Sequence, residues 1–216
     1  MRVEVWSDVV CPWCYVGKRR LESALGRFDH RDAVELVWRS FELDPAAPRQ
    51  RSGSAAEQLA RKYGMSAEQV AASWARLTAL AEAEGLEFHL DRARGGSTFD
   101  AHRLIHLGAE HGLQDEVKER LLGGYFTESL PIGAPEVLER LGVEAGLPPH
   151  EIAEVLATDR FADAVREDER RARLLGIAGV PFFAIDDRYG VSGAQSADLL
   201  LEALSVAWAE RTPVSR

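Results

Sequence analysis

The residues best suited to chemistry in this sequence are Cys11-Pro12-Trp13-Cys14. Two thiols at this spacing lie one turn apart on a helix, near enough to close a disulfide with each other. If the first begins the helix, unpaired backbone N–H groups and the positive end of the helix dipole stabilise its thiolate. Cys11 is therefore expected to be the exposed, low-pKa nucleophile, and Cys14 the shielded thiol that resolves a mixed disulfide. Pro12 suits the first helical turn, where a missing N–H costs nothing. Trp13 adds an apolar surface beside the sulfurs. Two other readings use the same pair. It could be half of a zinc site, completed by His102 and His106, which are four apart on one predicted helix face; or it could be inert. A strand-to-helix context favours redox chemistry, so no metal is expected.

Such a pair needs a strand before it and a helix after it. Val3 and Val5 alternate with Glu4 and Trp6 and end at Ser7-Asp8; Tyr15, Val16, Leu21, Leu25 and Phe28 then follow a helical period that closes near Gly26 and Asp29. The run Val34 to Leu43 is rich in β-formers and predicts a second strand parallel to the first, giving a βαβ unit. From Asp44 to about Ser54 the composition turns to Pro, Arg, Gln, Gly and Ser, which reads as a loop or linker. Roughly six helices are expected between Ser54 and Gly176. Ser66 and Gln69 form a capping box, and Gly64, Gly85, Gly112 and Gly146 stand where helices stop. The stripe Val70, Trp74, Leu77, Leu80, Ala81 is that of a helix packing on other helices. Strand signal returns at Val180–Ile185 and Tyr189–Ser192 at hairpin spacing, and Gln195–Glu210 reads as a last helix.

Composition limits the partners. The 216 residues carry 26 Lys+Arg against 35 Asp+Glu, a formal charge of -9, which argues against neutralising the phosphates of nucleic acid. The two cysteines exclude a scaffold laced by several disulfides and a four-cysteine zinc ribbon. With neither a signal-peptide pattern nor an apolar run of the roughly 20 residues a bilayer span needs, no membrane association is expected and the cytoplasm is the expected address.

The segments SDVVCPWCYVGKRRLE (7–22), FDAHRLIHLGAEHG (99–112), GIAGVPFFAI (176–185) and GVSGAQ (190–195) make the sequence similar to the DsbA-like branch of the thioredoxin superfamily. Within that branch it resembles the FrnE-like proteins, relatives of 2-hydroxychromene-2-carboxylate isomerases and kappa-class glutathione transferases. The resemblance implies an α/β thioredoxin-like fold with an inserted all-helical domain: residues 1–45 and 163–216 forming the thioredoxin part, 46–162 the insertion. It further implies a cis peptide at Val180-Pro181, facing the cysteines and presenting the Val180 backbone to substrate. The isomerases and transferases carry serine where Cys11 stands. Possession of both cysteines therefore implies a protein-disulfide oxidoreductase acting on thiol- or disulfide-containing proteins or small molecules. A glutathione-dependent isomerase or transferase acting on an aromatic small molecule is the alternative. No bound cofactor is expected, with glutathione as the candidate co-substrate.

Further candidates surround the pair. Asp8 could move protons to or from Cys14, or serve as a turn or helix-capping residue. Lys18 could steady a thiolate, but Lys18-Arg19-Arg20 reads first as a solvated face. Phe99, His102 and Arg103 are candidates for lining a substrate cleft. Gly193, Ala194 and Gln195 form the loop leading into the last helix.

Overall fold

The computed structural model describes residues 1–51 and 53–211. Strand β1 (Arg2–Ser7) leads into helix α1 (Pro12–Gly26), and β2 (Glu35–Ser40) follows a short 3-10 turn. Seven helices then intervene: α2 (Ala55–Tyr63), α3 (Ala67–Ala83), α4 (Phe99–Glu110), α5 (Gln114–Phe126), α6 (Pro135–Glu144), α7 (Pro149–Ala157) and α8 (Ala162–Leu174). The chain closes with β3 (Phe182–Ile185), β4 (Tyr189–Ser192) and α9 (Ala197–Ala209). The result is an α/β thioredoxin-like fold.

The sheet order is β2-β1-β3-β4, with β1 parallel to β2 and antiparallel to β3. Val5 thus faces Trp38 on one side and Phe183 on the other. β1 is central and covered on both faces. Val3 and Val5 enter a continuous core that reaches Leu104, Leu121 and Leu138 in the helical segment. Trp6 points the other way, into a smaller cluster with Ala172 and Ile177. Buried Asp168 of α8 ties this second face together. Its carboxylate accepts from Ser40 N (2.9 Å) and Arg39 Nη1 (3.0 Å), and its backbone oxygen accepts from Trp6 Nε1 (3.0 Å).

Several expected elements differ in detail. There are seven helices between Ser54 and Gly176 where about six were expected, because glycines with left-handed φ divide the run: Gly64 separates α2 from α3, and Gly146 separates α6 from α7. Ser54 and Ser66 both form complete capping boxes, with Glu57 and Gln69. β2 stops at Ser40 rather than Leu43, because Phe41 packs toward the Trp6 cluster and Leu43 turns its N–H to the Asp8 carboxylate. β3 begins at Phe182, after the proline instead of before it. Among the described residues no helix is long and apolar enough to cross a membrane.

Candidate active site

The turn after β1 sets Cys11 in place. Cys11 N donates to Asp8 O (3.3 Å), and its extended backbone (φ -91, ψ 112) makes it the N-cap of α1, with Pro12 first in the helix. Cys14 N and Tyr15 N donate back to Cys11 O at 3.0 and 3.4 Å, opening the helical ladder. Both cysteines are free thiols. Cys11 is not the exposed residue expected from its position: only 4% of it is accessible, and Cys14, a turn deeper, is 1% accessible. Cys11 lies at the floor of a cleft that it shares with residues of the neighbouring helical segment. Burial, the hydrogen bond to Cys11 and the Cys11 charge push the Cys14 thiol well above its ordinary range.

A second loop faces the sulfurs. The Val180–Pro181 peptide is cis, and the Cys11 thiol donates to Val180 O at 3.5 Å. Gly193 N donates to Pro181 O (2.8 Å) and Arg20 Nη1 to Ala194 O (2.7 Å), so the loop before α9 buttresses the proline loop. Behind it stands Gly17 of α1. The cleft in front has a volume of 670 Å³; Pro12, Trp13 and Val180 line it beside Cys11, and Leu59, Tyr63, Trp74 and Leu77 of α2 and α3 face them.

This pairing of a cysteine-capped helix with a proline loop from the far end of the chain lies within the span of a family model. The model of the DSBA-like thioredoxin domain matches residues 2–205. The chain belongs to this family. It is similar to the crystal structure of a probable DsbA oxidoreductase from Streptomyces coelicolor, at 49% identity and a TM-score of 0.95, covering 100% of this chain and 93% of that one. It is 28% identical to the uncharacterized protein YwbO of Bacillus subtilis over 95% of this chain and 96% of that protein. The cytosolic disulfide reductase DsbM from Pseudomonas aeruginosa, solved with glutathione, shares the fold at 18% identity and a TM-score of 0.67, over 97% of this chain and 100% of that one.

Beneath the thiols of this DsbA-like domain lies a buried polar group. Asp8 is 1% exposed and caps nothing: Oδ2 accepts from Leu43 N (2.8 Å), and Oδ1 pairs with His102 Nε2 (3.3 Å). A carboxylate only accepts, so His102 carries its proton on Nε2. Burial alone would raise the Asp8 carboxyl, but the His102 hydrogen bond and charge, Leu43 N–H and the Lys118 charge hold it below the usual range. Burial, only partly offset by Asp8, holds the His102 imidazole below its ordinary value.

Several expected roles change. His102 does not line the cleft, because it is 1% exposed and lies against Asp8 beneath it. Phe99 does not line it either: its ring lies under the guanidinium groups of Arg166 (4.3 Å) and Arg103 (5.9 Å). Arg103 is a structural clamp that donates to carbonyls of Val155, Thr158 and Arg160. Lys18 is no solvated face residue; it is 2% exposed, pairs with Glu22 on its own helix and joins α1 to α5 through Asp115 and Glu119. His106 turns to Ser40 Oγ (3.1 Å) and Asp168 Oδ2 (3.2 Å), and among the described residues no cluster of three or more His, Cys, Asp or Glu could hold a metal.

The residue that sequence reasoning missed is Lys118 of α5. It is 1% exposed, its Nζ lies 5.6 Å from the Trp38 ring centroid, and its charge acts on Cys14, Asp8 and Cys11. Burial lowers its ammonium to about 8 against the pull of those groups. One signal was available: Lys118 occupies the same helical stripe as Leu121, Leu122 and Tyr125, all buried.

Proposed function

We propose that this protein is a cytoplasmic thiol–disulfide oxidoreductase in which Cys11 attacks and Cys14 resolves. The observation that carries the reading is the place of the Cys11 sulfur, at the floor of the cleft and against Val180 O, with Cys14 one turn behind it. In the reducing direction the Cys11 thiolate attacks one sulfur of a substrate disulfide. That S–S bond breaks, one substrate thiolate leaves, and a mixed disulfide forms on Cys11. Cys14 loses its proton and attacks the Cys11 sulfur, releasing the second substrate thiol and leaving Cys11–Cys14 oxidised; two electrons have passed to substrate. Lys118 and Asp8 are the buried groups beside Cys14 on which that proton transfer depends.

Membership of the DsbA-like family and likeness to a probable DsbA oxidoreductase support this reading. The cytosolic disulfide reductase with glutathione supports the compartment and makes glutathione the candidate thiol co-substrate. The two cysteines favour exchange over glutathione-dependent isomerisation.

The test is turnover of insulin and of bis(2-hydroxyethyl) disulfide with dithiothreitol as reductant. Wild type is expected to be active, Cys11→Ser inactive, and Cys14→Ser to accumulate one covalent substrate adduct by mass spectrometry. Full activity in Cys11→Ser, or none in wild type, would overturn the proposal.

A further inference from the structure

We infer that the cleft above Cys11 selects small disulfides with an apolar body and an anionic group, the anion being held at its mouth by Arg61 and Lys62 of α2. This rests on the reading that Cys11 exchanges disulfides, and adds the class of disulfide.

Size is the first observation. A volume of 670 Å³ lies within the range of small-molecule pockets, and Cys11, 4% exposed, is reached only by a group that descends into the cleft. The walls are the second. Trp13, Leu59, Tyr63, Trp74 and Leu77 converge on the space, and Trp13 and Tyr63 remain 45% and 61% exposed, an apolar surface of the kind that ligands cover. Neither residue is needed to close the core.

Charge is the third. A groove of 410 Å³ adjoins the cleft and shares Leu43, Asp44, Arg51, Gln58 and Lys62 with it, adding Arg61. Arg51 is paired with Asp44. Arg61 and Lys62 have no carboxylate partner among the described residues; Lys62 lies 5.6 Å from the Tyr63 ring centroid. Two net positive charges thus collect at the mouth of a cleft on a chain of charge -9. Both cations also suit the last turn of α2, where the helix dipole favours them. That preference would be met on any face of the helix, whereas Lys62 borders the cleft that holds Cys11 and Arg61 the groove that adjoins it. The local field attracts an anion, and the walls behind it take an apolar or aromatic body.

The test is single-turnover oxidation of the reduced protein, which needs no recycling partner. The probes are 5,5′-dithiobis(2-nitrobenzoate), an aromatic dianion; 2,2′-dithiodipyridine, a neutral aromatic; bis(2-hydroxyethyl) disulfide; and insulin. Each small probe leaves as two thiols while Cys11 and Cys14 become a disulfide. The double variant Arg61→Glu, Lys62→Glu is expected to lower the ratio of second-order rate constants, dianion over dithiodipyridine, at least tenfold. Salt should lower the same ratio in wild type. Trp74→Ala should slow both aromatic probes more than the hydroxyethyl disulfide. An unchanged ratio in the double variant overturns the inference while leaving disulfide exchange intact. So does a larger effect of these substitutions on insulin than on the dianion, which would mean that the cleft takes a protein segment. Failure of every probe to oxidise the wild-type pair would overturn the exchange reading itself.

Discussion

A Cβ built on Gly17 would lie 2.9 Å from Pro181 Cγ and 3.3 Å from Phe183 Cζ, so α1 and the proline loop meet at a distance only glycine permits. The contact sets the proline loop against the helix that carries both cysteines. Gly17→Ala is expected to push Pro181 toward the cleft or α1 away from β3, at a cost of about 1–3 kcal/mol. Thermal unfolding should show a lower midpoint, and single-turnover exchange should slow several-fold as the Val180 carbonyl leaves Cys11. Alanine tolerated with wild-type midpoint and rate would show that the contact positions nothing.

Lys118 separates stability from chemistry. Its ammonium is held near 8, below its ordinary 10.5, so the folded state binds fewer protons than the unfolded chain between these values. Its contribution to stability is lost as pH falls through that window, and at pH 7 the buried charge is a burden. Lys118→Met should therefore raise the urea midpoint at pH 7. Removing the same charge drives the already raised Cys14 thiol further up. Resolution of the Cys11 mixed disulfide should slow about tenfold at pH 7 and move its pH profile to higher pH, as followed by acid quench. A more stable variant with an unshifted profile would confine Lys118 to a structural role.

Asp8 and His102 act on the acid side. Both are held below their ordinary values of 3.8 and 6.5, so each favours the folded state fully above that value and loses its contribution as pH falls below it. Urea midpoints should drop in two stages, below about pH 6.5 and again below about pH 4. His102→Gln keeps an N–H for Asp8 and should flatten the first stage only. Asp8→Asn should remove the second. A first stage that persists in His102→Gln would assign it to another group.

What was legible in the sequence follows from how local each cause is. Strand β4 lies at its expected bounds, and α1 ends at Gly26, because alternation and helical period need only neighbours in sequence. The order strand, cysteine pair, helix and parallel strand was legible for the same reason. Burial was not. Lys18 sits in a Lys-Arg-Arg run that reads as a wet surface, and it is buried because Asp115 and Glu119 arrive from α5, about a hundred residues away. His102 and Phe99 lie in a family-like segment, yet one turns to Asp8 and the other to Arg166 of α8. Cys11 was expected exposed because the Val180 loop set against its sulfur, and the α2 and α3 walls of the cleft, are invisible from the four residues around it.

Glu42, packed beside Glu169, reverses the acid-side slope. Each has an Oε1 that is buried and, among the described residues, without a hydrogen-bond partner, while both Oε2 atoms share Arg166 Nη1, at 2.6 and 2.8 Å. One guanidinium cannot compensate two buried carboxylates, and burial, despite Arg166 and together with Glu169, pushes the Glu42 carboxyl up to about 7. The folded state therefore holds a proton that the unfolded chain, with an ordinary carboxyl near 4.5, has given up. The contribution is present below 4.5 and lost as pH rises through about 7. Glu42→Gln should gain on the order of 1–3 kcal/mol over wild type at pH 8 and little at pH 4.5, measured by urea unfolding at both. Glu42 immediately precedes Leu43, whose N–H holds Asp8, so ionising Glu42 loads the segment that supports the buried group under Cys14. Equal midpoints for wild type and Glu42→Gln at pH 8 would show that Arg166 already neutralises the pair.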